Sequence, residues 1–262
     1  VGLWLTPFPD TIFGRDGSPP LAYSNISGEP RIYLCGGAGG SNLKPKLCEY
    51  FRVRTRTWVT ERALTLNSPR VYGAGLVLSN GRSFVLCGGD SETSQVALSS
   101  CEVLDLGTHV VSPIANLTFP RARFAAVLFN GRMVVIGGYH QNNALTSCEQ
   151  YNEANNKWTP FPSLNTARHE YGAAVVLGKI YVAGGWNGVS VFSSVEVFGG
   201  SSWTLLSSSL AVTRSGCAAV NFNNTLVVLG GTQSGIEVYN PATSTWSTSG
   251  IPEMNTPYRF DL

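Results

Sequence analysis

The chain has 262 residues, 43% of them hydrophobic and 13% charged, with a formal net charge of +2. That is enough apolar material for a large core. The sparse, unclustered charge gives no reason to expect nucleic acid or a membrane surface as a partner. The longest apolar stretches, such as 124–129, are strand-sized, which excludes a transmembrane helix. Residue 1 is Val and no signal-peptide pattern precedes the first repeat, so the chain reads as a processed or excised piece of something longer.

One element recurs five times: a short apolar run closed by two glycines, at Gly36-Gly37, Gly88-Gly89, Gly137-Gly138, Gly184-Gly185 and Gly230-Gly231. Successive first glycines are 52, 49, 47 and 46 residues apart. A period near 50 marks one supersecondary unit repeated along the chain. The runs read RIYLC, SFVLC, MVVI, KIYVA and TLVVL. They are apolar at nearly every position instead of alternating, so both faces of each small sheet must be covered.

The third repeat shows the unit most clearly. A strand over 124–129 leads into the Asn130-Gly131 turn, a hairpin signal, and a second strand over 132–136 ends at the glycine pair. A variable loop follows, then a third strand around Cys148-Glu149-Gln150-Tyr151, a polar turn over 152–156 and a fourth strand at Trp158. Every third strand carries Glu with a large apolar residue two places on: Glu49/Phe51, Glu102/Leu104, Glu149/Tyr151, Glu196/Phe198 and Glu237/Tyr239. Trp follows at Trp58, Trp158, Trp203 and Trp246, while the second repeat has Val111 in that slot. These rings are expected to pack between neighbouring sheets. Short strands at regular spacing point to a closed all-β architecture.

Apolar strand, Gly-Gly, variable loop, Glu-x-aromatic and Trp, repeated from about Ile32 to Trp246, resembles the kelch repeat. The resemblance implies an all-β propeller with one four-stranded blade per repeat, forming a single domain over 1–262. Blades are expected at about 20–60, 73–112, 124–160, 172–205 and 217–248. The stretch Leu3-Trp4-Leu5-Thr6-Pro7-Phe8-Pro9 is similar to Trp158-Thr159-Pro160-Phe161-Pro162, a fourth strand. Asn255-Thr256-Pro257-Tyr258-Arg259-Phe260 is similar to Asn165-Thr166-Ala167-Arg168-His169-Glu170, the approach to a first strand. The expectation is therefore five complete blades and a sixth split between the termini.

Six cysteines include no CxxC and no zinc spacing. Cys35 and Cys87 precede glycine pairs, and Cys48 and Cys101 precede the repeated Glu, so a cross-strand disulfide in each of two consecutive blades is open. The default for such positions is a buried thiol in a reducing cytosol. Sequons at Asn25, Asn116 and Asn223 would suit a secreted chain.

In a propeller, the loops between second and third strands and the inter-blade linkers share one mouth of the channel, where binding residues are expected. The linkers carry Arg70, Arg121, Arg123, Arg168, Arg214 and Arg259, with Arg15 near the start. Kelch substrate adaptors place arginines of similar linkers against acidic peptides, and Arg70, Arg123, Arg168 and Arg214 are the candidates here. The alternative is that these arginines tie blades to the repeated Glu or to carbonyls, with Arg123, the second of its linker, left for a ligand. Residues after the glycine pairs vary between repeats, and Tyr139, His140, Trp186 and Asn187 could form an aromatic, hydrogen-bonding edge.

Enzyme readings fare worse. The 36–40 glycine run lacks the P-loop Lys-Ser/Thr, and no GxSxG is present. His109, His140 and His169 do not form a metal motif such as the copper site of kelch oxidases needs. A sialic-acid mutarotase-like site would use an arginine to grip a carboxylate. The expected function is a cytoplasmic protein-interaction module, without cofactor or metal. It would bind a protein or peptide, with an acidic motif in view, as the substrate-recognition part of a larger protein such as a ubiquitin-ligase adaptor. Actin cross-linking is a second family precedent, and a secreted carbohydrate-active or copper-oxidase propeller is the alternative class.

Overall fold

The computed structural model describes residues 21–24, 28–37, 46–91, 96–233 and 235–248. Five four-stranded antiparallel sheets follow one another as the blades of a propeller. Blade I comprises β1 (Leu21–Ser24), β2 (Arg31–Cys35), β3 (Leu47–Arg52) and β4 (Thr57–Thr65). Blade II comprises β5 (Ala74–Val77), β6 (Ser83–Cys87), β7 (Cys101–Asp105) and β8 (Val111–Ile114). Blade III contains β9 (Ala125–Phe129), β10 (Arg132–Ile136), β13 (Cys148–Asn152) and β14 (Lys157–Phe161). The small hairpin β11 (Tyr139–His140) and β12 (Asn143–Ala144) interrupts that blade's numbering. Blade IV comprises β15 (Gly172–Val176), β16 (Lys179–Ala183), β17 (Val195–Phe198) and β18 (Trp203–Leu205). Blade V comprises β19 (Ala218–Phe222), β20 (Thr225–Leu229), β21 (Ile236–Asn240) and β22 (Thr245–Ser247). The segments expected to form a split sixth blade, with Arg15 and Arg259, lie outside the described residues.

The first strand of each blade is innermost, and β1, β5, β9, β15 and β19 pack in that order. The second strands explain why the blades must stack. Phe84 and Leu86 of β6 pack with Tyr33 and Tyr50 of blade I, while Val85 and Cys87 pack with Met133 and Val135 of blade III. A strand sandwiched on both faces has to be apolar throughout.

The aromatic pattern of the outer strands is a cross-strand pairing. Phe51 pairs with Trp58, Tyr151 with Trp158, Phe198 with Trp203 and Tyr239 with Trp246 in register. Their ring centroids lie 5.1–5.5 Å apart, the range of favourable tilted contacts. Blade II fills the same positions with Leu104 and Val111. Trp158 Nε1 donates to the Ala115 carbonyl at 2.9 Å, and Trp203 Nε1 to the Pro162 carbonyl at 2.8 Å, so these indoles anchor the linker that enters their own blade.

The glycine pairs are required by close approach. Gly138 has φ +104°, and a Cβ there would meet the Ala122 carbonyl oxygen and Phe124 Cβ at 2.8 Å.

The last second-strand residue faces a residue at the start of the third strand across the sheet: Cys35/Cys48, Cys87/Cys101, Ile136/Cys148, Ala183/Val195 and Leu229/Ile236. In blades I and II this position is closed by disulfides, Cys35–Cys48 and Cys87–Cys101. The thiol default expected for these four residues is thereby corrected. Apolar pairs fill the position in the other blades, so the bond adds to the fold without defining it. Cys148 and Cys217 remain as buried thiols, and burial pushes each up to about 11.

Thiol counting tests this arrangement. Native protein should react with no cysteine rapidly, unfolding without reductant should expose two, and unfolding with reductant should expose six. Six reactive thiols without reductant would show that the pairs are not joined.

Candidate functional site

Each linker reaches the next blade through one buried arginine. Arg70, Arg121 and Arg168 have no solvent exposure and Arg214 has 2%. Arg121 shows the arrangement. Its Nη1 donates to the Gly137 carbonyl at 2.5 Å and the Ser147 carbonyl at 2.8 Å. Its Nη2 donates to Glu149 Oε1 at 2.9 Å and approaches the Ser147 hydroxyl at 3.2 Å. Arg70 repeats this with Gly88, Ser100 and Glu102, and Arg168 with Gly184, Ser194 and Glu196. Blade V has Gly235 where the others have that serine, and Arg214 adapts. Its Nε meets Glu237 at 3.0 Å and its Nη1 the Gly230 and Gln233 carbonyls at 3.1 Å.

The glutamate completes the lock by accepting backbone N–H groups of the incoming linker. Glu102 accepts from Asn67 and Ser68, Glu149 from Thr118 and Phe119, Glu196 from Asn165 and Thr166, and Glu237 from Ala211. The arginine carbonyl then accepts from the second glycine of the preceding blade, as in Gly138 N–H to Arg168 O at 3.0 Å. Burial pulls the Arg70 and Arg168 guanidinium pKa values down, and Glu102 and Glu196 oppose that pull. These arginines hold linker, glycine turn and blade together. The expectation that Arg70, Arg168 and Arg214 bind a ligand is therefore corrected: burial removes them from the accessible mouth.

What remains at the mouth is set by the next two linker positions and by the loop after each glycine pair. Val71 pairs with Asp90, Ala122 with Tyr139 and His169 with Trp186 in short antiparallel bridges. Thr232 N–H donates to Ser215 O in the fifth blade. One residue further on, Tyr72, Arg123, Glu170 and Gly216 all have positive φ. Their backbones form a hydrogen-bonded arc: Arg123 N–H to Tyr72 O at 2.8 Å, Glu170 N–H to Arg123 O at 3.0 Å, and Gly216 N–H to Glu170 O at 2.8 Å. This arc is where sequence variation can reach the channel without disturbing a blade.

Arg123 stands on it with its side chain 21% exposed. Its guanidinium lies 4.7 Å from the Tyr72 ring centre, 5.5 Å from that of Tyr139, and 3.4 Å from Glu170 Oε1. Asp90 is buried nearby, its carboxyl pushed up by burial and held back by the charge of Arg123. Tyr139 and His140 lie on β11, whose turn Gln141-Asn142 has two positive φ angles, as a two-residue hairpin requires. The Tyr139 hydroxyl pairs with Asn142 Oδ1 at 3.0 Å. Asn187 Oδ1 accepts from the Val189 and Ser190 N–H groups, which makes it the residue that shapes its loop. That loop presents Val189 at 89% exposure beside half-buried Trp186.

Tyr72, His169 and Glu170 were not among the expected site residues. The signal was present in the two positions after each linker arginine, which differ from repeat to repeat. Of the other histidines, His109 packs against Tyr33 and Tyr50. Among the described residues, no group of three or more His, Cys, Asp or Glu side chains is placed to hold a metal ion. A groove of about 380 Å³ at the opposite end of blade III is lined by Leu78, Met133, Tyr151 and Glu153.

The comparisons with known proteins agree with this geometry. The family model described as the KLHDC2/KLHL20/DRC7 Kelch-repeats domain matches residues 24–231, and the Kelch motif matches 213–250. The chain belongs to the kelch-repeat family. Spermatocyte protein spe-26 of Caenorhabditis elegans is 31% identical over 113 residues, a match that covers 42% of this chain and 19% of that protein. The kelch propeller also resembles the solved structure of YjhT, with a TM-score of 0.72 at 15% identity over 89% of this chain and 84% of that one. At that identity the likeness concerns the fold.

The division between buried and accessible arginines is measurable. Arg121→Met should cost about 3–5 kcal/mol in urea unfolding, because it strands Glu149 in the interior. Arg123→Met should cost about 1 kcal/mol or less, as expected of a partly solvated pair. Equal costs would contradict the assignment.

Proposed function

We propose that this kelch propeller is a protein-interaction module that receives a peptide segment of its partner at the channel mouth. The contacts would come from the Tyr139–His140 hairpin, Trp186 and its loop, and Arg123. The observation that carries the reading is the contrast within the repeat. The same backbone positions hold Asp90, Tyr139, Trp186 and Thr232 in successive blades, while the glycine pair, the linker arginine and the third-strand Glu beneath them recur. Family membership supports binding as the role, since kelch propellers generally bind proteins. Tyr, Trp and Arg are the side chains that dominate interface energies.

The partner's chemistry follows from the corrected mouth. With Arg70, Arg168 and Arg214 buried, Arg123 is the member of the expected arginine set with accessible surface, and Glu170 and Asp90 stand close to it. An acidic residue in the partner would have Arg123 to meet among the described residues, while the aromatic edge would take apolar or aromatic side chains. A substrate-recognition role inside a ubiquitin ligase rests on family resemblance and needs Cys35, Cys48, Cys87 and Cys101 to be thiols. The two disulfides favour an oxidising compartment instead.

A displayed random-peptide library selected on the propeller tests the mouth. Tyr139→Ala and Trp186→Ala should each weaken the selected peptides by at least about tenfold while the melting temperature stays within a few degrees. Glu153→Ala, at the opposite end, should change nothing. Peptides that bind both mouth variants as tightly as the parent would overturn the reading.

A further inference from the structure

Glu170 has one carboxylate oxygen claimed from two sides. Its Oε1 lies 3.4 Å from Arg123 Nη1 and 3.3 Å from His169 Nδ1, while Oε2 accepts from the Ser215 hydroxyl at 3.0 Å. His169 is fully buried between two rings, 4.9 Å from Tyr139 and 5.2 Å from Trp186. Neither of its ring nitrogens has a hydrogen-bond partner. A buried polar group without a partner is costly. The fold does not require it, because Val71, Ala122 and Ser215 occupy the equivalent position, and Tyr72, Arg123 and Gly216 are the equivalents of Glu170.

We propose that His169 is a proton-operated gate on Arg123. Protonation of the imidazole moves Glu170 Oε1 from Arg123 to His169 and releases the guanidinium to the mouth. The inference rests on the binding reading given above, since it assigns regulation to that site. An imidazole is the side chain that changes charge between about pH 5 and about pH 8. Once protonated, it donates from both nitrogens, and its Nδ1 already faces the carboxylate. The competition between the two cations is decided by solvent. Arg123 is partly exposed and can be rehydrated, whereas a charge on His169 has no water to turn to and must be met by Glu170. The more exposed partner therefore yields.

The surrounding charges leave that route open. Arg168, two residues before Glu170 in the same linker, and Arg214, from the following linker, are committed to Glu196 and Glu237. The Tyr139 hydroxyl is bonded to Asn142, and His140 lies further out on the same hairpin. Asp90 faces Arg123 from blade II and is the anion left beside it after release, together with the Tyr72 and Tyr139 rings. As pH falls through the imidazole range, Arg123 passes from an internal ion pair to a cation available to a partner's carboxylate.

Nuclear magnetic resonance of the full chain, without any ligand, tests the gate. Histidine ring signals and arginine Nε–H signals are followed from about pH 8 to about pH 5, with His169 and Arg123 assigned by His169→Asn and Arg123→Lys. The Arg123 signal should move with the same midpoint as His169, and Glu170→Gln should abolish the Arg123 movement. A His169 ring that does not titrate, or an Arg123 signal that ignores its titration, overturns the proposal. If Glu170→Gln does not fold, the two midpoints in unmodified protein decide. Since no peptide is used, loss of the gate and loss of peptide binding are separate results.

Discussion

A carboxylate held away from water must be surrounded by donors, and the path of this chain between blades is the way that requirement is met. Glu102, Glu149 and Glu196 each collect two backbone N–H groups from an incoming linker and one arginine, and Glu237 collects one N–H and Arg214. The arginine also donates to the first glycine carbonyl, and in three of the four blades to the serine before the third strand, while its own carbonyl accepts from the preceding blade. Removing either charge leaves the other uncompensated in the interior, a loss far larger than any surface ion pair entails. Linkers without regular secondary structure are thereby pinned by hydrogen bonds to the blades they enter.

That rigidity determines where function can reside. Inner strands, glycine turns and linker arginines are all committed to neighbours, so specialisation is confined to the loops after the glycine pairs and to the two residues after each arginine. Those positions hold aromatic rings, a partly exposed arginine and the His169–Glu170 contact. A fixed scaffold carrying variable side chains at one mouth lowers the ordering cost of binding, because little backbone has to be immobilised.

Much of this was readable in the sequence, and the part that was not has a physical reason. Apolar second strands, glycine pairs and the Glu-x-aromatic…Trp spacing are imposed by contacts within one repeat or its immediate neighbour, so they recur and can be seen. The destination of the linker arginines was not settled by their recurrence, since a repeated Arg could pair with a repeated Glu or point into the channel. The decisive clue is stoichiometric: Arg70, Arg121, Arg168 and Arg214 are each followed by one third-strand Glu. Arg123 has no such third-strand partner in the repeat and, among the described linker arginines, is the one left at the mouth. The cysteine positions were legible, but the bond was not, because Cys35/Cys48 and Ile136/Cys148 fill equivalent space. The pairing of His169 with Glu170 at the mouth was not legible because it depends on Tyr139, Trp186, Arg123 and Ser215, which come from other blades or linkers.

The central claim is that buried glutamates lock the linkers while the loops above them stay free, and native-state hydrogen exchange tests it most directly. The amides of Asn67, Ser68, Thr118, Phe119, Asn165, Thr166 and Ala211 should exchange as slowly as those of the central strands, although they lie outside regular secondary structure. The turn amides at Gln141, Asn142 and Gly188 should exchange orders of magnitude faster. Linker amides that exchange as fast as those turns would contradict the account.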